Sequence, residues 1–276
     1  MNKELSIVAP FYNEEDLIHN FIQEVEDTLS KVDIKYEIIL VNDGSTDLSG
    51  EIVDQVVSEN DKVFHIKNKK NLGIWKSWHE GVKQARYESV CIIDSDLQYQ
   101  PQEILNLFEK HLEGYQFVQG VRKFSAAVGT VRYLISKILS GLLKVFFYRY
   151  TKKMDDVKSG FFVTRKDLIQ NIFEYFPNYN FGQTFIAIYA NILNSYVYQI
   201  PVVFAPRLKG KSYLQTFPLL TIAKIILEIV NLKFYLRKRD YHLIVLEKFV
   251  SGIKNPVNLS LTEKIKMKLF FTTHVF

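Results

Sequence analysis

The sequence predicts an α/β fold in which a mostly parallel sheet is flanked by helices. Two observations predict it: short apolar runs alternate with segments of helical periodicity in the first 120 residues, and polar clusters follow three of these runs. With 276 residues and 47% hydrophobic composition, the chain can bury the core that such a sheet requires.

Five short apolar runs are predicted to be strands. They are residues 5–10, 36–41, 62–66, 89–94 and 116–120. Continuous apolar runs of this length are typical of parallel strands that helices cover on both faces. In such a sheet the carboxyl ends of the strands meet at one edge, and ligands bind there.

Helices are predicted between these strands, because apolar residues recur there every three or four positions. The first helix is expected to follow Asn13 as its N-cap and to place apolar residues from 17 to 29 on one face. Apolar residues at 48–57 and 74–85 mark the next two helices. The tryptophan pair that begins at Trp75 is expected to lie in the core.

The second half of the chain begins with a predicted helix at residues 131–153 that is apolar around most of its circumference. It carries one polar stripe, formed by Lys137, Ser140 and Lys144. This helix either lies in a membrane interface or packs on the sheet, and the pattern allows both.

Residues 175–206 contain no charged residue, which predicts a buried helix followed by a strand at 196–204. A further helix is predicted at residues 218–236. We expect two domains: a catalytic domain at 1–215 and a basic, helical, membrane-associating extension at 216–276.

Charge is unevenly distributed along the chain, whose formal net charge is +5. The segment from Arg207 to Phe276 holds 13 lysines and arginines against 4 aspartates and glutamates, so the rest carries a net charge of −4. A basic tail indicates a polyanionic neighbour, either nucleic acid or an anionic membrane surface.

Cysteine content and the N-terminal sequence predict a cytoplasmic location. The single cysteine, Cys91, excludes an intramolecular disulfide and is expected to be buried. Residues 1–20 lack the basic start and apolar stretch of a secretory signal. The chain also lacks the glycine motifs of dinucleotide-binding sites and P-loops, which argues against those classes of nucleotide-binding protein.

Three polar clusters follow predicted strands, at residues 10–14, 42–47 and 94–98. In "DSDLQ", Asp94, Asp96 and Gln98 would point to one side if the strand continued, and their oxygen atoms suit Mg²⁺ or Mn²⁺. The alternative is an acidic turn. Asp43 in "VNDGSTD" has two similar interpretations, a turn and helix cap or an acceptor for a base or ribose.

Taken together, the motifs resemble family 2 glycosyltransferases of the dolichol-phosphate mannose synthase and polyprenyl-phosphate type. The segments "SIVAPFYNEE", "IILVNDGSTD", "NLGIWKSWHEGVKQA", "IIDSDLQYQPQEI", "VQGVRK", "DDVKSGFFVTRK" and "IPVVFAPRLKGKSYL" occur in the order of that family. The resemblance covers residues 4–220 and implies a nucleotide-sugar-binding, Rossmann-like domain of GT-A type.

The resemblance also implies a role for each matching residue. The residues expected to hold the nucleotide sugar are Pro10, Tyr12, Glu14, Asp43, Gly73 and Asp94. The expected ligands of Mg²⁺ or Mn²⁺ are Asp94, Asp96 and Gln98. The expected catalytic residues are Asp96, Arg122, Arg207 and Asp156, with Asp155 as an alternative to the last. The residues expected at the acceptor phosphate are Arg132, Ser159, Lys211 and Ser212.

The sequence departs from the family in four respects. Ser95 replaces the usual alanine, and Lys211 precedes Ser212 where the family often has Ser-Lys. Where members that act on hydroxyl groups carry an acidic pair, this chain reads "YNFGQTFIA" at 179–187. Many members have two C-terminal membrane helices, whereas this sequence shows no convincing one.

These features predict a metal-dependent, inverting enzyme that moves a sugar from a UDP- or GDP-sugar to a polyprenyl phosphate. A phosphate oxygen is already anionic and needs no general base, which fits the missing acidic pair. The alternative is transfer to a hydroxyl of a lipid-linked or cell-surface glycan, with Asp155 or Asp156 as base. A nucleotidyltransferase or a nucleic-acid-binding module explains fewer of the motifs.

The expected partners follow from this hypothesis. They are the nucleotide sugar, the lipid acceptor and the anionic inner face of the cell membrane, on which the protein would be peripheral. No nucleic-acid partner is expected, and a homo-oligomer is left open.

Overall fold

The computed structural model describes residues 3–124, 130–176, 179–193, 195–206 and 218–251. The chain divides into two compact units, Met1–Pro218 and Leu219–Phe276. The strands of the first unit are β1 (Glu4–Phe11), β2 (Lys35–Asn42), β3 (Val63–Lys67), β4 (Ser89–Ile92), β5 (Phe117–Phe124), β6 (Phe162–Arg165) and β7 (Val197–Phe204).

Helices flank this sheet. Those before residue 130 are α1 (Ile18–Leu29), α2 (Ser49–Glu59), α3 (Ile74–Gln84) and α4 (Glu103–Leu112). Those that follow are α5 (Thr130–Phe146), α6 (Tyr148–Thr151), α7 (Lys166–Tyr175), a short 3₁₀ helix (Gly182–Phe185), α8 (Ile186–Ile192) and α9 (Pro218–Ser251). The predicted α/β fold class is confirmed.

The seven strands form one sheet in the order β3-β2-β1-β4-β6-β5-β7. The pairs β1 with β2, β1 with β4, β2 with β3 and β5 with β7 are parallel. Only β6 runs against its neighbours β4 and β5 among the described strands. The carboxyl ends of β1, β2 and β4 therefore lie at one edge, as the sequence predicts.

The core forms because helices cover both faces of the central strands. Every residue of β1 after Glu4 is buried, as is every residue of β2 after Lys35. Helix α3 packs so closely on these strands that a methyl group on Gly81 would lie 2.3 Å from Cγ1 of Val8. Trp75 and Trp78 are buried, as expected, and so is Cys91.

Four details differ from the sequence prediction. Asn13 is not an N-cap: α1 begins at Ile18, and Asn13 adopts a left-handed backbone with φ of 55°. The predicted helix at 131–153 is two helices, α5 and α6. Strand β6 and helices α4 and α7 were not predicted. Strand β6 was missed because it has only four residues, includes Arg165 and lies close to Gly160, so the apolar pattern is interrupted.

The fourth difference concerns the acidic cluster. Strand β4 ends at Ile92, so residues 94–98 are not an extension of the strand. They form a tight turn in which Leu97 has φ of 57°. The prediction that Asp94, Asp96 and Gln98 point to one side of a continuing strand is therefore wrong. If these side chains converge, the turn brings them together.

The described part of the second unit is α9, which extends fifteen residues beyond the predicted end at 236. Among the described residues, no helix is both long enough and apolar enough to cross a membrane.

Candidate functional site

The loops after β1 and β2 are joined to each other by side-chain hydrogen bonds. The Asn13 amide donates to Oγ of Ser45 at 3.0 Å, and Oδ1 of Asn13 accepts from the Thr46 amide at 2.8 Å. The Glu14 amide donates to Oγ of Ser49 at 2.8 Å. These bonds explain why "YNEE" and "DGSTD" carry so many short polar residues, since each loop satisfies the backbone of the other.

The Asp43 carboxylate organises the loop that leads into α3. Its Oδ1 accepts from the Leu72 amide at 2.8 Å and from Nδ2 of Asn68 at 3.1 Å, and its Oδ2 accepts from the Gly73 amide at 2.9 Å. Gly73 has φ of 86°, a backbone conformation that glycine adopts more readily than other residues. Asp43 thus shapes a loop at the ligand edge of the sheet, and its role as an acceptor for a base or ribose stays a prediction.

The other predicted nucleotide contacts lie beside this loop. Tyr12 is 44% exposed at the end of β1, where its ring is available to a ligand. Pro10 is buried in β1, and its carbonyl accepts from Oγ of Ser95 at 3.0 Å. Glu14 is 9% exposed, so little of its surface is open to a nucleoside. The structure therefore brings the three sequence clusters together.

The turn after β4 is anchored at both ends. At its start, the Ser95 hydroxyl donates to the Pro10 carbonyl of β1. At its end, Nε2 of Gln98 donates to the Ala205 carbonyl at 3.1 Å, and the Ala205 amide donates to the Gln98 carbonyl at 2.8 Å. Within the turn, Oδ1 of Asp96 accepts from the Gln98 amide at 3.1 Å. Gln98 therefore ties the turn to the end of β7.

Asp94 lies next to the "SGF" segment that precedes β6. A methyl group on Gly160 would be 4.0 Å from Oδ2 of Asp94 and 3.3 Å from the ring of Trp78. The absence of a side chain at residue 160 thus leaves room beside the carboxylate. The structure therefore places the "DSD" and "SGF" motifs near each other, although 65 residues separate them in the chain.

The donor atoms at this edge fit a hard divalent cation. Asp94 and Asp96 supply carboxylate oxygens, and Gln98 could add only its amide oxygen, because its nitrogen is bonded to Ala205. Within the described residues, no group of three or more acidic, histidine or cysteine side chains is arranged to hold a metal. Such a sparse set suits Mg²⁺ or Mn²⁺ when substrate phosphates complete the coordination.

A buried ion pair joins β5 to the segment before β6. Nε and Nη2 of Arg122 donate to the two carboxylate oxygens of Asp156 at 2.6 and 2.9 Å. The two side chains are only 16% and 11% exposed. Although burial alone would raise the pKa of Asp156, the bonds from Arg122 lower it below its ordinary value. Asp156 is therefore a carboxylate whose two oxygens are bonded, which makes it a weak base.

The polar groups around this pair include residues that the sequence analysis missed. Nε2 of Gln199 bonds to the Asp156 carbonyl and to Oε1 of Gln119, each at 2.6 Å. Nε2 of Gln119 donates to the Ser159 carbonyl at 2.8 Å. Polar residues inside the apolar runs "QFVQG" and "YVYQI" were the available signal, because a buried amide requires partners.

Ser159 does not lie where its predicted role requires. It is fully buried, and its hydroxyl is 3.0 Å from the hydroxyl of Tyr99, which is 2% exposed. This position gives an acceptor phosphate no access to the Ser159 hydroxyl. Burial also raises the pKa of Tyr99, so its hydroxyl stays protonated and can bond to Ser159. Ser159 supports the strand end instead.

An open cleft of about 370 Å³, which we call the α5 cleft, lies beside the ion pair. Its wall is formed by the polar stripe of α5 and by the ends of two other segments. The charged or hydroxyl-bearing residues that line it are Arg122, Ser136, Lys137, Ser140, Lys144, Asp155 and Asp156. The stripe seen in the sequence therefore faces a cleft next to the predicted catalytic residues.

Four predicted site residues lie at the edge of, or outside, the part of the chain that the structure describes. Arg132 belongs to α5, whose backbone is described there. Arg207, Lys211 and Ser212 lie outside the described residues. Their predicted roles at the phosphates stay predictions.

The sequence is similar to a protein family and to individual glycosyltransferases. Residues 6–175 match the family described as Glycosyl transferase family 2. The chain is 37% identical over 119 residues to the uncharacterized glycosyltransferase YkcC of Bacillus subtilis (strain 168), a match that covers 43% of this chain and 37% of that protein. It is 30% identical over 212 residues to undecaprenyl-phosphate 4-deoxy-4-formamido-L-arabinose transferase of Klebsiella pneumoniae (strain 342), covering 76% and 62%. The chain thus spans less than two thirds of these relatives.

Solved structures share the fold. Glucosyl-3-phosphoglycerate synthase from Mycobacterium tuberculosis, in complex with Mn²⁺ and UDP-glucose, superposes with a TM-score of 0.61 at 17% identity, covering 83% of this chain and 78% of that chain. The same protein in complex with Mg²⁺ and UDP gives 0.56 at 18% identity, covering 77% and 73%. These similarities support the GT-A type of α/β fold.

Proposed function

Because this chain belongs to glycosyl transferase family 2, we propose that it transfers a sugar from a UDP- or GDP-sugar to a polyprenyl phosphate. The observation that carries the choice of acceptor is the Arg122–Asp156 pair beside the α5 cleft. Its geometry suits the binding of an anionic acceptor better than the removal of a proton from a hydroxyl.

The state of Asp156 is the first argument for a phosphate acceptor. A general base must be able to take up a proton near neutral pH, so catalytic carboxylates that act as bases have raised pKa values. The bonds from Arg122 do the opposite and lower the pKa of Asp156. An acceptor oxygen that is already anionic, as in a phosphate monoester, needs no such base.

The charge of the α5 cleft is the second argument. Three cationic side chains line it, from Arg122, Lys137 and Lys144, against two carboxylates. Because Arg122 and Asp156 are bonded to each other and offset each other's charge, Lys137 and Lys144 outweigh Asp155, and the cleft favours an anion. The named activity of the Klebsiella pneumoniae relative also supports this acceptor class, because undecaprenyl phosphate is part of its name.

In the proposed reaction the residues of this chain position two phosphate-bearing substrates. The loops shaped by Asp43 and Asn13 hold the nucleoside, with Tyr12 beside it. A divalent ion bound by Asp94 and Asp96 would supply positive charge to the leaving diphosphate. Arg122 holds the acceptor phosphate in line with the anomeric carbon and offsets its repulsion from the donor, so catalysis relies on positioning and charge.

The proposed site of action is the cytoplasmic face of the cell membrane. Helix α5 and the residues after it expose large apolar side chains, since Ile138, Val145 and Tyr148 are 55%, 75% and 67% exposed. The exposed Arg149 adds a positive charge among them. Such a mixture suits contact with an anionic lipid surface, and we propose that residues 216–276 form a second membrane-associating segment.

Transfer to a glycan hydroxyl is the second candidate, because Asp155 is exposed and also lines the α5 cleft. Unlike Asp156, it could meet a hydroxyl substrate directly. This candidate predicts that Asp155→Asn abolishes transfer, whereas the phosphate mechanism predicts that it changes the rate only slightly.

The test compares two acceptors that differ only in the phosphate. Purified protein is incubated with radiolabelled UDP- and GDP-sugars, Mn²⁺, and either undecaprenyl phosphate or undecaprenol in the same detergent. We expect transfer to the phosphate alone, its loss in Asp96→Ala, and its survival in Asp155→Asn. Transfer to undecaprenol at a similar rate, or full activity of Asp96→Ala, would refute the proposal.

A further inference from the structure

Lys158 joins helix α5 to the ion pair of the site. It lies within the motif "DDVKSGFFVTRK", but neither the resemblance nor the proposed chemistry gives it a role. Its Nζ donates to the carbonyl of Ser136 at 2.7 Å and to the hydroxyl of the same residue at 2.8 Å. Its backbone amide donates to Oδ1 of Asp156 at 3.0 Å. Lys158 is thus bonded to two residues that line the α5 cleft, Ser136 and Asp156.

The bonds of Lys158 form a continuous chain to the guanidinium group. Asp156 receives the Lys158 amide on the same oxygen that accepts from Nη2 of Arg122. Ser136, at the other end, lines the α5 cleft. Movement of α5 away from Lys158 would therefore change the width of the cleft beside Arg122, because the polar stripe moves with the helix.

We propose that Lys158 is a positioning residue for the acceptor. It holds the polar stripe of α5 at a fixed distance from Arg122 and thereby fixes the width of the cleft. The inference rests on the proposed function for the identity of the acceptor. Lys158 does not line the cleft itself, so it acts through Ser136 and Asp156 rather than by direct contact.

The electrostatic surroundings of Lys158 agree with this role. Burial, followed by the positive charge of Arg122, lowers the pKa of Lys158 to about 8, and Asp156 opposes both effects. The charged groups that act on the amine are thus Arg122 from β5 and Asp156 from its own segment, while α5 offers the uncharged Ser136. Below that pH the ammonium donates charge-assisted bonds to α5, and above it the amine donates weaker, neutral ones.

The experiment compares Lys158→Met, which removes the donor, with Lys158→Arg, which keeps a permanent charge and several donors. Steady-state kinetics are measured separately for undecaprenyl phosphate and for the nucleotide sugar. We expect Lys158→Met to raise the KM for the acceptor about tenfold or more, the scale of two lost charge-assisted bonds, with the donor KM unchanged. Lys158→Arg should recover most of the loss.

The pH profile provides a measurement that a purely structural lysine would not affect. In the wild type the KM for the acceptor should rise as the pH passes about 8, where Lys158 loses its proton. Lys158→Arg should lack this rise, because arginine keeps its charge over that range. An unchanged rise in Lys158→Arg would overturn the proposal.

The matched control is Lys166→Met. The Lys166 side chain also donates to a backbone carbonyl, that of Ala85 at 2.5 Å, but it does so at the start of α7 and is not part of the cleft. This variant should leave both KM values unchanged. An equal rise of the acceptor KM in both methionine variants would show a general effect of lysine loss and overturn the proposal.

Two further measurements keep the inference testable: Ser136→Ala if Lys158→Met fails to fold, and hydrogen exchange if the acceptor is different. Ser136→Ala removes only the hydroxyl acceptor and should raise the acceptor KM by about threefold. Hydrogen exchange should be faster in α5 of Lys158→Met than in the wild type, with α3 unchanged. If the wild type transfers sugar only to undecaprenol, the proposed function fails. Unchanged exchange in α5 would instead refute the role of Lys158.

Discussion

Replacing Asp156 by asparagine tests the central ion pair, because the substitution keeps the size of the side chain and removes its charge. Arg122 would then lie in a site where its side chain is only 16% exposed and has lost two charge-assisted bonds. Removing one partner of a buried pair costs about 3 to 5 kcal/mol. Since both groups keep some contact with solvent, we expect a loss near the lower value, about 3 kcal/mol of unfolding free energy.

Thermal unfolding measures this loss. A change of about 3 kcal/mol lowers the Tm of a protein this size by roughly 6 to 12 °C at pH 7. The pKa of Asp156 is lowered in the folded protein, so its stabilisation is complete above the ordinary aspartate pKa of about 3.9 and is lost as the pH falls through the folded value. The difference between wild type and Asp156→Asn should therefore shrink in acid.

Asp167→Asn is the matched control for this prediction. Asp167 also pairs with an arginine, Arg165, but these side chains are 55% and 40% exposed. Its loss should cost less than about 1 kcal/mol. Equal Tm values for wild type and Asp156→Asn at pH 7, or a difference that widens in acid, would refute the reasoning.

Three other substitutions test the loops and the sheet. Asp43→Ala removes the acceptor for the loop before α3 and should weaken nucleotide binding about tenfold by calorimetry, since two backbone donors lose their partner; unchanged binding would contradict this. Gly44→Ala should destabilise the fold by about 1 to 3 kcal/mol in urea unfolding, because φ is 77° and the methyl group would lie 2.5 Å from the Lys70 carbonyl carbon. Glu37→Gln should lower the Tm markedly, because this carboxylate is 1% exposed and binds the Arg86 backbone amide and Nε at 2.6 Å; a Tm equal to that of the wild type would exclude the proposed contribution.

Much of the fold followed from local patterns. The continuous apolar runs of β1 and β2 identified buried parallel strands, because only strands covered on both faces lack polar alternation. The antiparallel strand β6 was missed, since four residues within a charged and glycine-containing segment carry too little pattern. Its position between β4 and β5 depends on pairing with strands more than forty residues away.

The sequence predicted which residues cluster at the candidate site, but it did not predict how their side chains are oriented and paired. The strand-end rule placed the clusters of Tyr12, Asp43 and Asp94 at one edge, and the structure agrees. The rule could not predict the turn at Leu97 or the burial of Ser159, because a side chain's direction within a loop depends on contacts with distant segments.

The sequence by itself determined the fold class, the family and the three polar clusters, because these depend on local periodicity and on motifs that can be read in order. Only the tertiary structure decided how the charges are paired. Asp156 and Arg122 are 34 residues apart, and Lys158 meets Ser136 across 22 residues. Whether a carboxylate is a base or an anchor, and whether a lysine is exposed or positions a helix, depends on such neighbours, because burial and charge pairing set pKa values and geometry.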